Sequence, residues 1–169
     1  MSAVKKLFTF PDPVNETAVR VTATGVVVMA ATALVTQRPE ILVVIAYGFL
    51  ARALTGPRLS PLALLSVRVI TPRLDGPHRL VAGPPKRFAQ ALGAGGSVAA
   101  VLCYYAFGWH LAAWVLAGMM VVLATLEAAF RICVGCMLYA ALIRRGVIDG
   151  ANCPECADIR LRSIDRVSV

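Results

Sequence analysis

Four apolar stretches constrain the fold of this chain more than any other feature of the sequence. They cover residues 17–36, 40–54, 88–109 and 111–143. A membrane-spanning helix needs about 20 predominantly apolar residues, so the second stretch, with about 15, is short. The chain is 59% hydrophobic and only 15% charged, whereas soluble domains have about 25% charged residues. We therefore expect an all-α protein, an integral membrane helical bundle of four spans, formed by residues 1–169 as one membrane domain.

The loop between the second and third spans, residues 55–87, contains six prolines. Its middle segment, LSPLALLSVRVIT, is apolar but too short to cross a membrane. We expect a short helix that lies at the membrane interface or packs on the bundle. A half-length re-entrant segment is the alternative, and Arg68 within it argues against that reading. The tail, residues 144–169, is expected to contain another short helix.

The last apolar stretch is too long for one straight span. A helix over residues 110–143 would measure about 50 Å, while the hydrocarbon core of a bilayer is about 30 Å thick. The helix must therefore leave the bilayer, kink, or both, and Gly135 is one place for a kink. Glu127 and Arg131 lie four residues apart, in the order that favours an ion pair. They indicate either a functional site at membrane depth or the point where the helix leaves the bilayer.

Basic residues are distributed unequally between the two sides of the predicted bundle. With the N-terminus inside, that side carries nearly all Lys and Arg residues, and the loops of the other side carry only Arg38. The positive-inside rule then predicts a multi-pass protein of the cell (inner) membrane with both termini cytoplasmic. Arg20 and Arg52 lie within spans, and we expect their side chains to snorkel to the headgroups. Contact with the lipid bilayer accounts for the net charge of +8, so we expect no nucleic-acid partner.

The N-terminal segment does not have the pattern of a secretory signal peptide. The residues PDPVNE interrupt the apolar core that should follow Lys5 and Lys6. We therefore expect the first apolar stretch to be retained as a membrane span, with Asn15 and Glu16 at its helix start.

Two Cys-x-x-Cys pairs lie near the end of the chain, Cys133/Cys136 in the last apolar stretch and Cys153/Cys156 in the tail. The first pair has the i, i+3 spacing that places both residues on one helix face. Asn152 can cap a helix that begins at the second pair, and the helix dipole would then favour a thiolate at Cys153. Stable disulfides are not expected on the predicted, reducing side of the membrane. Metal binding, transient redox chemistry and sulfur handling remain as explanations for the four paired cysteines.

The sixteen residues between the pairs allow all four sulfurs to meet. The spacing matches four-cysteine zinc sites, with Cys133, Cys136, Cys153 and Cys156 as ligands. The same arrangement serves dithiol–disulfide exchange, in which Cys153 meets a soluble partner, Cys156 resolves, and the inner pair takes the equivalents inward. Glu127 precedes Cys133 by six residues and is a weaker candidate, because the sequence puts it on no obviously shared face.

Several motifs together resemble the bacterial membrane family known as domain of unknown function 4395. These are FPDPVNETAVR, AYGFLARALTGPRLSPLALL, GPPKRFAQ, TLEAAFRICVGC and CPECADIR. The resemblance covers almost the entire chain and includes both cysteine pairs and Glu127. Similar genes often lie beside thioredoxin-like and sulfurtransferase-like genes, so the resemblance implies thiol or sulfur chemistry.

Three functions are therefore considered for the chain. The leading hypothesis is a relay of electrons or sulfur between a soluble thioredoxin-like or sulfurtransferase partner and the membrane, the role of a membrane thiol oxidoreductase component. The second is a binding module in which four cysteines hold structural zinc. The third is a small transporter of a sulfur compound, with a path near Glu127. The sequence predicts neither a substrate nor an oligomeric state.

Overall fold

Helices make up nearly all of the structure, a computed structural model that describes residues 14–74 and 80–148. Its regular elements, in chain order, are β1 (Val14–Asn15), α1 (Glu16–Thr36), α2 (Glu40–Thr55), α3 (Pro61–Leu65), β2 (Leu80–Val81), α4 (Gly83–Tyr105), α5 (His110–Phe130) and α6 (Val134–Arg144). The helical segments long and apolar enough to cross a membrane are Glu16–Thr36, Glu40–Arg58, Gly83–Tyr105 and His110–Phe130. The expected all-α architecture with four span-length helices is confirmed.

Two of these helices are longer than the sequence predicted. A 3-10 turn, Gly56–Arg58, continues α2, so the second span reaches 19 residues and is not short. Helix α4 begins at Gly83, five residues before the predicted start at residue 88. Pro84 and Pro85 occupy its first turn, where a helix leaves backbone N–H groups unpaired and a missing N–H costs nothing. Lys86 therefore lies inside the helix and not in the loop.

The four long helices pack through small residues. Helix α1 packs mainly on α5, α2 on α4, and α4 also on α5. The core lies between them in two clusters, one around Ala30, Ile45 and Met120 and the other around Ala33, Leu42 and Ala117. In a bilayer no hydrophobic force drives apolar helices together, so their association depends on close packing. Small side chains allow this packing because they let the helix backbones approach one another.

The bundle has two chemically different ends. At one end, here called the basic end, α1 and α4 begin and α2 and α5 end. At the opposite end, here called the aromatic end, the ring of Tyr104 packs against those of His110 and Trp114, with centroids 4.4 and 5.8 Å away. The basic end is also where α6 begins, so it contains the first cysteine pair.

The segment after α2 packs on the bundle. Helix α3 and the π-helical turn that follows it lie against α1, where Leu62 fills the space left by the absent side chain of Gly25. This agrees with the expected short helix packed on the bundle. At the start of α1, Asn15 caps the helix by accepting a hydrogen bond of 2.9 Å from the Thr17 N–H, as expected. A short antiparallel ladder, with Val14 opposite Val81, was not predicted.

Candidate functional site

A break between α5 and α6 places the inner cysteine pair at a helix N-terminus. Helix α5 ends at Phe130, and Arg131 adopts the left-handed conformation with φ 60°. The Ile132 N–H then bonds back to the Leu126 carbonyl at 3.0 Å, which closes the helix end. Cys133 is the N-cap of α6, and its Sγ accepts a hydrogen bond of 3.4 Å from the Cys136 N–H. The sequence predicted a kink in this stretch, but the break lies before Gly135.

Gly135 has a packing role instead. A Cβ atom there would lie 2.7 Å from the Cβ and 2.8 Å from the Cα of Ala89. Such distances are far below van der Waals contact, so only glycine lets α6 approach α4 this closely. The contact holds the first turn of α6 against the bundle. Cys133 and Cys136 are therefore both buried, each 4% exposed.

A buried ion pair lies near the thiols at the same end of the bundle. The Lys86 Nζ of α4 and the Glu127 Oε1 of α5 are 2.5 Å apart, and their side chains are 6% and 17% exposed. The predicted pairing of Glu127 with Arg131 is wrong. Because α5 ends before Arg131 and that residue turns into the left-handed region, its exposed side chain leaves the helix face that Glu127 shares.

Arg52 is a second buried cation, and the prediction that it snorkels to the headgroups is wrong. Its side chain donates from Nε to the Gln90 Oε1 at 2.8 Å and from Nη1 to the Ser60 Oγ at 3.3 Å. The guanidinium also lies 4.5 Å from the centre of the Phe49 ring. No carboxylate within residues 14–74 and 80–148 forms an ion pair with it. Arg52 is thus 5% exposed and bonded only to neutral groups.

Arg20 is also bonded within the protein. Its Nε donates to the Ala128 carbonyl near the end of α5 at 2.9 Å. A cation at the C-terminal end of a helix interacts favourably with the helix dipole. Arg20 therefore links the start of α1 to the end of α5 beside Glu127.

The surroundings of Cys133 favour its protonated thiol. The hydrogen bond with Cys136, burial and the Glu127 carboxylate, in that order, raise the pKa of Cys133 far above its ordinary value, and the Lys86 ammonium opposes them only in part. The helix N-terminus alone would lower this pKa, but burial and the shared thiol site outweigh it. Cys133 therefore favours the thiol over the thiolate.

A cavity of about 280 Å³ borders this group of side chains. Its polar lining comes mainly from Arg52, Gln90, Glu127 and Cys133, and most of the remaining lining is apolar. A second cavity, of about 240 Å³, shares Arg52 and Gln90 and also touches Lys86. The break in the last helix thus brings Glu127 and Cys133, six residues apart in sequence, to the wall of one cavity.

The outer pair, Cys153 and Cys156, lies outside the described residues. Within those residues, no group of three or more His, Cys, Asp and Glu side chains could hold a metal ion. The four-cysteine zinc site predicted from the sequence includes this outer pair and so lies partly outside the described residues. Cys103 belongs to α4 near the aromatic end and is remote in sequence from both pairs.

Sequence reasoning missed Lys86, Gln90 and Arg52 as site residues. A signal was present for two of them: the Pro84–Pro85 pair marks a helix start just before Lys86, and an arginine inside an apolar helix indicates a functional residue by default. Gln90 carried no comparable signal, because its role depends on Arg52, which is 38 residues distant along the chain.

Four helices long and apolar enough to cross a membrane, with an ion pair, a buried guanidinium and a thiol pair at one end, define a class of protein: apolar helical bundles with a polar site between their helices. The chain belongs to the family described as domain of unknown function (DUF4395), whose model matches residues 14–144. The matched range includes Cys133, Cys136 and Glu127 and ends before the outer pair. No curated protein and no solved structure matches the chain.

Proposed function

We propose that the protein is a multi-pass membrane protein whose Cys133/Cys136 pair is the inner centre of a thiol–disulfide relay. The observation that carries this proposal is the position of the pair. Cys133 caps α6, Cys136 lies in its first turn, and both are buried beside Lys86 and Glu127. Cys-x-x-Cys at a helix N-terminus is the arrangement of dithiols that exchange with disulfides.

The exchange balances without a further reactant. A dithiol in the outer pair or in a thioredoxin-like protein is oxidised to a disulfide, losing two electrons and two protons, while a Cys133–Cys136 disulfide is reduced to the dithiol. Glu127 is the carboxylate placed to receive a proton when Cys133 becomes a thiolate, and Lys86 stabilises the resulting negative charge.

The proposal requires the outer pair because the inner pair is buried. A large soluble partner does not reach thiols that are 4% exposed. The nine residues from Arg145 to Cys153 can span up to about 30 Å when extended, whereas α6, with 11 residues, is about 16 Å long. Cys153 can therefore fold back to Cys133, accept equivalents from the soluble partner outside, and exchange them with the inner pair.

The test uses two matched variants of the full chain, purified in detergent. One retains the inner pair alone (Cys103→Ala, Cys153→Ser, Cys156→Ser), and the other retains the outer pair alone (Cys103→Ala, Cys133→Ser, Cys136→Ser). Each is equilibrated in glutathione redox buffers, alkylated and weighed as the intact protein. We expect the inner-pair variant to lose two hydrogens in one two-electron transition, about 30 mV per tenfold change in the equilibrium constant.

Mass measurements also distinguish the relay from a structural zinc site and from sulfur transfer. A persistent dithiol across all redox buffers contradicts the relay. One bound zinc in the wild type, lost from both variants, supports the structural metal site instead. Gain of one sulfur atom on a cysteine after incubation with a sulfur donor indicates sulfur transfer and not electron transfer.

A further inference from the structure

The cavity beside Cys133 opens towards the surface that would face lipid. Its outer lining includes Leu92 of α4, Met119 and Leu123 of α5, and Leu138 of α6, all of which are exposed apolar residues. A hydrophilic ligand would have to cross this apolar rim, whereas a molecule dissolved in the bilayer meets no such barrier. The position of the opening therefore selects a lipid-soluble ligand.

The inner end of the cavity supplies hydrogen-bond donors to such a ligand. A guanidinium has five N–H groups, and the bonds of Arg52 to Gln90 and Ser60 use two of them. Because Arg52 is buried and has no carboxylate partner among the described residues, it favours negative charge that develops on a nearby oxygen. The ligand should thus be an apolar ring or chain with at least one acceptor oxygen.

The neighbouring thiols add a chemical requirement. A dithiol that becomes a disulfide releases two electrons and two protons, so a ligand that completes the relay must take up both. A membrane quinone meets all three conditions: it dissolves in lipid, its carbonyl oxygens accept hydrogen bonds, and it takes two electrons and two protons to become a quinol. The volume of about 280 Å³ is at the small end of ligand pockets and suits a ring-sized head group.

We propose that the cavity bounded by Arg52, Gln90, Glu127 and Cys133 binds the ring of a membrane quinone, which oxidises the Cys133/Cys136 dithiol. In this step the S–S bond forms, two S–H bonds break, and the two electrons and two protons convert the quinone into a quinol. The inference rests on the proposed thiol relay and names its electron acceptor. Arg52 positions the ring by donating to one carbonyl, and the polyprenyl tail leaves through the opening between α4, α5 and α6.

The test follows the reduced full-length protein in detergent under anaerobic conditions, with decyl-ubiquinone as the probe. Its fully substituted ring does not add thiols, so loss of quinone absorbance reports reduction alone. We expect one quinol for each Cys133–Cys136 disulfide, counted by alkylation and intact mass. Oxidation by glutathione disulfide is measured in parallel as a quinone-independent readout of the same dithiol.

Two variants of adjacent glycines in α4 provide the matched control. Gly96 lines the cavity, and a Cβ atom added there would lie 3.6 Å from the Met120 Cε, whereas Gly95 is exposed and an added Cβ would meet nothing within 4 Å. Gly96→Leu should fill the cavity and raise the decyl-ubiquinone concentration for half-maximal rate by about 10-fold or more. Gly95→Leu should leave it unchanged, and both variants should react normally with glutathione disulfide.

Arg52→Met tests the donor end of the cavity, with exposed Arg87→Met as its control. Loss of a charge-assisted hydrogen bond should slow quinone reduction by about 10-fold or more in the first variant alone. The proposal is overturned if glutathione disulfide oxidises the dithiol but decyl-ubiquinone does not. It is also overturned if Gly96→Leu reduces the quinone as fast as Gly95→Leu. If neither oxidant forms the disulfide, the relay itself fails.

Discussion

At the scale of single residues, the charges of Lys86 and Glu127 stabilise each other because both side chains are largely removed from water. Lys86 and Glu127 are nearly buried, and each neutralises the other. A buried ion pair often contributes little net stability, but breaking it leaves one charge buried without compensation, which is strongly destabilising. The pair therefore explains how a helix bundle tolerates a carboxylate beside its thiols.

Replacement of one partner tests this dependence. Glu127→Gln and Lys86→Met should each lower the free energy of unfolding by about 3–5 kcal/mol. The double variant Lys86→Met/Glu127→Leu should recover much of that loss, since no charge remains buried. Unfolding by SDS titration in mixed micelles measures all three. Arg131→Ala is the control, expected within about 0.5 kcal/mol of wild type; a loss as large as that of Glu127→Gln would restore the Glu127–Arg131 pairing that the structure contradicts.

The raised pKa of Cys133 predicts a dependence of stability on pH. In the unfolded chain a cysteine loses its proton above about pH 8.5, whereas Cys133 in the folded protein retains it to higher pH. The unfolded state then binds fewer protons than the folded state, so stability is full below pH 8.5 and falls as the pH rises above it. The slope for one such group is about 1.4 kcal/mol per pH unit.

Serine at this position isolates the contribution of the thiol. Cys133→Ser caps a helix but does not ionise in this range. The unfolding free energy of the wild type minus that of the variant should therefore fall between pH 8.5 and 10. A difference that stays constant over this range would show that the folded and unfolded thiols titrate alike.

At the scale of elements, the close approach of α6 to α4 determines whether the thiols are buried. The rings of Phe88 and Tyr139, with centroids 5.4 Å apart, form a second contact between the two helices in addition to the Gly135–Ala89 contact. Because α6 is short, an isolated helix of its length is marginal, and its stability must come from this packing. A change at the contact should therefore displace the whole first turn, including both cysteines.

Gly135→Ala is the smallest change that tests this contact. The added methyl group would overlap Ala89, so we expect a loss of about 1–3 kcal/mol in unfolding free energy and faster alkylation of Cys133 and Cys136. Gly118→Ala in α5 is the matched control, since nothing lies near its missing side chain; it should be neutral or stabilising by up to about 1 kcal/mol. Equal alkylation rates in the two variants would contradict a packing role for Gly135.

At the scale of the whole molecule, the sequence predicted what is local and missed what is not. The long helices follow from hydropathy along the chain, and the cap at Asn15 follows from one residue type at a helix start. The partners Lys86 and Glu127 are 41 residues apart, and their pairing depends on which helices pack together. The sequence indicated a kink or break in the last stretch but did not fix its position, because the caps are Arg131 and Cys133, which are not the Gly and Asn or Ser residues that usually mark helix ends.

The orientation of the bundle is the prediction that connects the fold to the chemistry of its thiols. The basic end contains both the first cysteine pair and most of the described Lys and Arg residues, while Arg38 is exposed between α1 and α2 at the other end. We expect the basic end to face the cytoplasm. In a variant without native cysteines, Arg38→Cys should react with a membrane-impermeant maleimide in intact cells. Arg145→Cys, also exposed, should react only in inverted vesicles. The reverse labelling would place the thiols on the oxidising side, where a stable Cys133–Cys136 disulfide, and not a dithiol, is the expected resting state.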